Sequence, residues 1–230
     1  MRTTHRSGQR RTPQARAVQR PVVPGAVLGL VCAAAGVFGA GCGTEAPAAA
    51  TYVFVCDDRS QVVVRVTGDE AWVFRPAGTI RLPAAAGDGE AEFSDGSFSL
   101  SIKGEHARLR EAGGDLRSCR NDRRRAVWEK SKLDGADFRA VGNEPGWSLE
   151  IFAGRRLVLV TDYGESRTEL TLDEPSADRQ ARTTRWEARD LILEVIGRPC
   201  RDSMSGEELE SEVRLTWQGR SLRGCGRALH

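Results

Sequence analysis

The residue types that most often carry out chemistry are thinly spread along this chain. Of the three histidines, His5 is near the start, His230 is the last residue, and only His106 lies inside a region able to fold. The adjacent acids Asp57-Asp58 and Glu207-Glu208 have the functional groups for general acid and base work, but neighbouring carboxylates on short elements are ordinarily solvated charge. No Cys-x-x-Cys or paired-histidine spacing suits zinc, and no P-loop or dinucleotide-binding glycine pattern occurs. The sequence therefore predicts no enzyme, no cofactor and no metal. Asn143, Glu144, Asp202 and Ser205 stand beside Pro145, Gly146 and Gly206. They either line a pocket or serve turn geometry, with Asn and Asp capping the backbone.

The cysteines say more. Cys32 lies in an amino-terminal segment with the order of an export signal: six arginines (Arg2, Arg6, Arg10, Arg11, Arg16, Arg20) without an acid, an apolar run over 22–38, then small residues. Arg10-Arg11 is read as plain leader charge. The apolar run is shorter than the ~20 residues of a usual membrane-spanning helix. Ala40-Gly41-Cys42 resembles a lipobox with Gly39 where leucine is preferred, so Cys42 is the expected lipidation site and ordinary cleavage nearby is the alternative. The four remaining cysteines, Cys56, Cys119, Cys200 and Cys225, are widely spaced, which in an exported chain reads as disulfides. The expected location is the bacterial cell envelope, lipid-anchored and facing the periplasm, at the outer membrane. Removing the six leader arginines from 34 bases leaves 28 against 32 acids, so the formal charge of +2 becomes about −4. Nucleic acid is then an unsuitable partner and a basic protein a suitable one.

These residues need elements to position them, and β-strands dominate. After a leader at 1–41 and a tether at 42–50, short β-favouring runs punctuated by glycines occupy a first domain at 51–120: 52–56, 61–66, 71–74, 80–82, 91–93, 98–102 and 107–110. Strands this short and regularly spaced predict a small antiparallel barrel or sandwich. A Cys56–Cys119 bond would join its ends, and closing roughly 64 residues contributes about 4 kcal/mol in the chain-entropy model. Residues 121–135 form a charged segment, expected to be a solvated linker or short helix. The second domain, 136–230, offers strands at 147–151, 157–160, 169–172, 191–196 and 213–217, a hairpin turn at Gln218-Gly219, and a short helix at 204–210. A Cys200–Cys225 bond there would close roughly 26 residues, worth about 3.5 kcal/mol. No internal sequence repeat links the halves. The fold class expected is mainly β: a small antiparallel β-barrel followed by a second small β-rich domain with a short helix.

Tyr52-x-x-x-Cys56, the stretch from Gly87 to Leu109 and Cys119 together resemble the membrane-bound and periplasmic inhibitors of C-type lysozyme over about residues 52–119. The stretch contains Phe93-Ser94-Asp95-Gly96 where the family commonly has Tyr-Ser-Asp-Gly, then Lys103-Gly104, Ala107 and Leu109. The resemblance implies a small antiparallel barrel that plugs the substrate cleft of a lysozyme through a loop and a downstream lysine. Carried over, the lysozyme-binding residues are Lys103, Gly89, Phe93 and Ser94, with the loop at 87–96. The family's loop serine falls on Gly89, and its tyrosine on Phe93. Lys103, the one lysine of the first domain, is otherwise a solvated strand residue, and Phe93 otherwise a core aromatic. In the second domain, the stretch from Phe138 to Trp147, Cys200-x-Asp-Ser-Met-Ser-Gly206 and Gly224-Cys225-Gly226 look like an uncharacterised domain of bacterial envelope proteins that often accompanies such inhibitor modules. That resemblance implies no activity.

Overall fold

In the first sheet, period-2 alternation of apolar and polar side chains builds strands with one face inside. The computed structural model describes residues 48–86 and 91–230, so the leader, Cys42 and Gly89 lie outside the described residues. The strands are β1 (Ala50–Cys56), β2 (Gln61–Thr67), β3 (Glu70–Arg75), β4 (Gly78–Pro83), β5 (Ala91–Ser94), β6 (Phe98–Lys103), β7 (His106–Glu111) and β8 (Arg117–Asn121). All pairs are antiparallel, in the order β4-β3-β2-β1-β8-β7-β6-β5. The end strands β4 and β5 meet through a bridge between Ala84 and Phe93 and a hydrogen bond from the Ala85 amide to the Glu92 carbonyl (2.8 Å), so the sheet is a nearly closed barrel. On β6, for example, Phe98, Leu100 and Ile102 point inward among Phe54, Val64 and Leu109, while Ser99 and Lys103 are exposed. Near closure satisfies edge groups that would otherwise invite pairing with another chain.

Between the sheets runs α1 (Arg123–Leu133), capped by the Asp122 carboxylate, which accepts from the Arg125 amide at 3.1 Å. The segment is helical, but it is not solvated as its charge suggests. Ala126, Trp128 and Ser131 are buried, while Val127 stays exposed. Trp128 packs with Ala136, Leu209, Cys225 and Leu229, and its ring lies under the guanidiniums of Arg139 (5.6 Å) and Arg227 (4.6 Å). At its other end the helix is tied to the barrel by Arg65–Asp134 at 2.7 Å.

The second sheet contains β9 (Phe138–Asn143), β10 (Gly146–Phe152), β11 (Arg156–Thr161), β12 (Ser166–Thr171), β13 (Ser176–Asp178), β14 (Thr183–Ala188), β15 (Leu191–Ile196), β18 (Ser211–Trp217) and β19 (Arg220–Ala228), in the order β12-β11-β10-β9-β19-β18-β15-β14-β13. A separate ribbon of β16 (Cys200–Arg201) and β17 (Glu208–Leu209) is inserted between β15 and β18. Trp147, Leu149, Leu159, Leu193, Leu215 and neighbours form the core of this curled sheet. The β18–β19 hairpin turns at Gln218-Gly219 with φ of 48° and 76°, the two positive values a type I′ turn requires. No helix occupies 204–210. The Asp202 carboxylate captures the amides of Met204 (2.7 Å) and Ser205 (3.2 Å), Gly206 has φ of 71°, and the chain turns into β17.

Both sheets share one topology that the sequence does not announce. In each, three strands run outward from the opening strand, and the last strand returns to pair with that opening strand: β8 with β1, β19 with β9. The two disulfides are Cys56–Cys119 and Cys200–Cys225. The first joins directly opposed residues of β1 and β8 within the barrel core. The second pins the ribbon to β19 beneath α1.

Candidate functional site

On the outside of the barrel, register places the exposed side chains of β6, β7 and β8 in rows. Lys103 stands opposite His106, which stands opposite Arg120; Ser101, Arg108 and Ser118 form the next row, and Ser99 and Arg110 the third. Five basic side chains interleaved with hydroxyls thus share one face. A shallow depression of about 330 Å³ lies in it, lined by Ser101, Lys103, His106, Arg108 and Ser118. Lys103 ends β6 just before Gly104, whose φ of 57° makes the tight turn to β7. Across β5, Glu92 pairs with Ser101 and puts an acid at the edge of the face.

The other loop residues carried over by resemblance are used structurally. Phe93 is 4% exposed, in the barrel core, so its ring is unavailable to a partner; its place in the alternation of β5 turns it inward. Ser94 donates from Oγ to the Phe98 carbonyl (3.0 Å) and accepts from the Gly96 amide (3.1 Å). Asp95 accepts from the amides of Ser97 (2.8 Å) and Phe98 (2.7 Å). The Phe98 amide first, then the Ser97 hydroxyl and amide, hold its carboxyl below the ordinary aspartate range. Phe93 and Ser94 therefore end β5 and Asp95 and Gly96 begin the β5–β6 turn, and of the described carried-over residues Lys103 alone is exposed.

The distinctive stretches of the second half converge on one another. Asn143 donates from Nδ2 to Asp202 Oδ1 (2.7 Å) and to Ser203 Oγ (2.9 Å), joining the β9–β10 turn to the ribbon loop. Burial pushes the Asp202 carboxyl up, but the Met204 amide, the Asn143 side chain and the Ser205 amide outweigh it and hold the group low. The glycines clear space for Trp147: a Cβ on Gly142 would stand 2.2 Å from its Nε1, and one on Gly224 would stand 2.7 Å from its Cζ2. Gly146 does the same for Tyr163, whose ring would meet a Cβ at 2.5 Å.

These contacts frame a groove of about 480 Å³ across the outer face of β9–β11, lined by Val127 and Trp128 of α1, by Tyr163 and Met204, and by Ser148 and Val160 of the sheet, with the core residue Trp147 also bordering it. Asn143, Asp202 and Ser205 line it, as the sequence allowed; Glu144 is not among its lining residues. Tyr163 is 80% exposed, and both it and Asp162 have φ above 50°. Backbone held in this region costs about 1–3 kcal/mol per residue and collects at functional sites. Beneath α1, Arg139 pairs with Glu150 at 2.6 Å and with the Ser131 hydroxyl at 3.1 Å. Sequence reasoning missed the aromatic and apolar members of this groove, since Trp128 lies in a segment expected to be solvated and Tyr163 in an unremarked loop.

Comparison of the chain with family models, with curated proteins and with solved structures returned no match.

Proposed function

We propose that this chain is an exported, lipid-anchored envelope protein whose first barrel binds C-type lysozyme and blocks its substrate cleft, a binding function without catalysis. The observation that carries the reading is the outward row of Lys103, His106 and Arg120 on an otherwise well-closed barrel. A lysine ammonium brings a full charge and three donors, and charge-assisted bonds to catalytic carboxylates strengthen as the cleft loses water. The acids that make the remainder of the protein net negative suit the basic surroundings of such an enzyme. Lipidation at Cys42 would hold the barrel at the outer membrane, facing the periplasm.

Purified residues 43–230, assayed against hen lysozyme, should inhibit at micromolar concentration or below. Lys103→Ala should weaken inhibition more than tenfold, about 1.4 kcal/mol. The absence of inhibition at micromolar protein rules the reading out.

The burial of Phe93 and the use of Ser94 in a turn favour a second reading, an envelope protein that keeps the barrel without lysozyme recognition and acts as a structural or ligand-binding element. Inhibition that persists unchanged in the first barrel alone counts against it.

A further inference from the structure

The groove over β9–β11 does not end in solvent. Arg124 and Glu207 line both it and a neighbouring cleft of about 940 Å³, so the two are continuous. Their chemistry is opposite. Among the described residues, the exposed large hydrophobic side chains are Trp72, Leu116, Val127, Tyr163 and Met204, and the last three all border the groove. Concentrating exposed apolar surface at one concavity marks a binding site rather than ordinary surface.

The adjoining cleft carries Arg120, Arg123, Arg124 and Arg125 against Glu105, Asp122 and Glu207. Arg123 is paired with Glu105 at 2.8 Å and Arg125 with Asp122 at 3.4 Å, while Glu207 is already engaged by Arg227 at 3.7 Å. Four guanidiniums thus line the cleft against three carboxylates. Arg124, at the junction with the groove, has no ion pair among the described residues.

We infer that groove and cleft together bind a single-chain anionic amphiphile, an acyl chain lying along Val127, Val160, Tyr163 and Met204 with its phosphate or carboxylate head at Arg124. Neither half suffices. An uncharged apolar ligand leaves Arg124 without a counter-charge, and an inorganic anion leaves the groove exposed. The amphiphile is taken up as one detached molecule, because the groove is sized for a small ligand. This inference does not rest on lysozyme binding, although Arg120 belongs both to the cleft and to the row with Lys103 and His106.

Calorimetry on purified residues 43–230, which include the compact unit Glu45–His230, tests it with probes kept below micelle-forming concentrations. Dodecyl phosphate should bind at one site, dodecyltrimethylammonium at least tenfold more weakly, and inorganic phosphate without saturation over the same range. Arg124→Glu should weaken dodecyl phosphate binding at least tenfold. Ser148→Phe, which fills the floor of the groove from a half-buried outward position on β10, should abolish it. Val127→Glu, at an exposed helix position, serves the same purpose if the Phe variant does not fold. Equal affinity for the anionic and cationic probes overturns the inference. So does binding unaffected by both groove variants, or binding seen only with vesicles of anionic lipid.

Discussion

The two sheets follow one strand order yet solve different problems. The first brings its ends together, turns its disulfide and its apolar side chains inward, and leaves an outer face of Lys103, His106, Arg108, Arg110 and Arg120 to solvent. The second ends in β12 and β13, and it has apolar side chains on both faces: a core inside, and an outer cluster around Trp128, Leu209 and Cys225 covered by α1 and the ribbon. A near-closed barrel with a polar exterior can offer a partner charge and hydrogen bonds. A sheet with a partly covered apolar exterior can offer a groove. The same topology thus yields two kinds of surface, and which one appears depends on what is packed against the outside.

Breaking the disulfides tests this contrast most strongly. Replacing Cys56 and Cys119 with serine should cost about 4 kcal/mol and unfold the first barrel as a unit, seen as a large fall in thermal midpoint. Replacing Cys200 and Cys225 should cost up to about 3.5 kcal/mol by the same model, but the loss should be concentrated in the ribbon. Amide exchange should then speed up over 200–209 while β1–β8 keep their protection. If both pairs produce the same global loss, the two bonds do not play the distinct roles described.

A smaller effect is expected from Gly142→Ala. The new methyl collides with the Trp147 indole and with the Arg223 carbonyl, 2.5 Å from the built Cβ position, and overpacking of this kind costs about 1–3 kcal/mol. Urea unfolding should show the loss, with a shifted tryptophan emission.

Smallest is the response to acid. The folded-state pKa of Asp202 is depressed, so its stabilising contribution is present above its unfolded value, about 3.9, and is lost as pH falls through the lower folded value. Exchange of the Met204 and Ser205 amides should accelerate below about pH 4, and Asp202→Ala should show the same acceleration at neutral pH. Asp95 holds the β5–β6 turn in the same way, so acid should loosen a turn of the barrel as well as the loop of the ribbon. Only the turn at Asp202 borders the groove.

Strands with strong alternation, such as β6 and β18, were legible because their apolar side chains repeat every second residue, and β2 was legible as a run of valines. The returning strands were not. β8 reads Arg-Ser-Cys-Arg-Asn, and β19 carries Gly224 and Gly226; both hold their conformation by pairing on either side rather than by composition. Without them the shared topology stays hidden. Met204–Glu210 carries first-turn acids, yet the side chain of Asp202 competes successfully for the backbone amides. Lys103 was legible as a candidate from its scarcity and position. The row it belongs to was not, since cross-strand register cannot be read from a single strand. In the groove, Asn143, Asp202 and Ser205 stood out as polar residues beside glycines, whereas Trp128, Val160 and Tyr163 come from three elements that only tertiary packing assembles.

The central claim, that Lys103 and its row enter a lysozyme cleft, is tested most directly by competition. Binding of purified residues 43–230 to a C-type lysozyme should be displaced by an N-acetylglucosamine oligomer that fills the cleft, and Lys103→Glu should bind at least a hundredfold more weakly, about 2.7 kcal/mol. Binding that is indifferent to both the oligomer and the charge reversal would contradict the account.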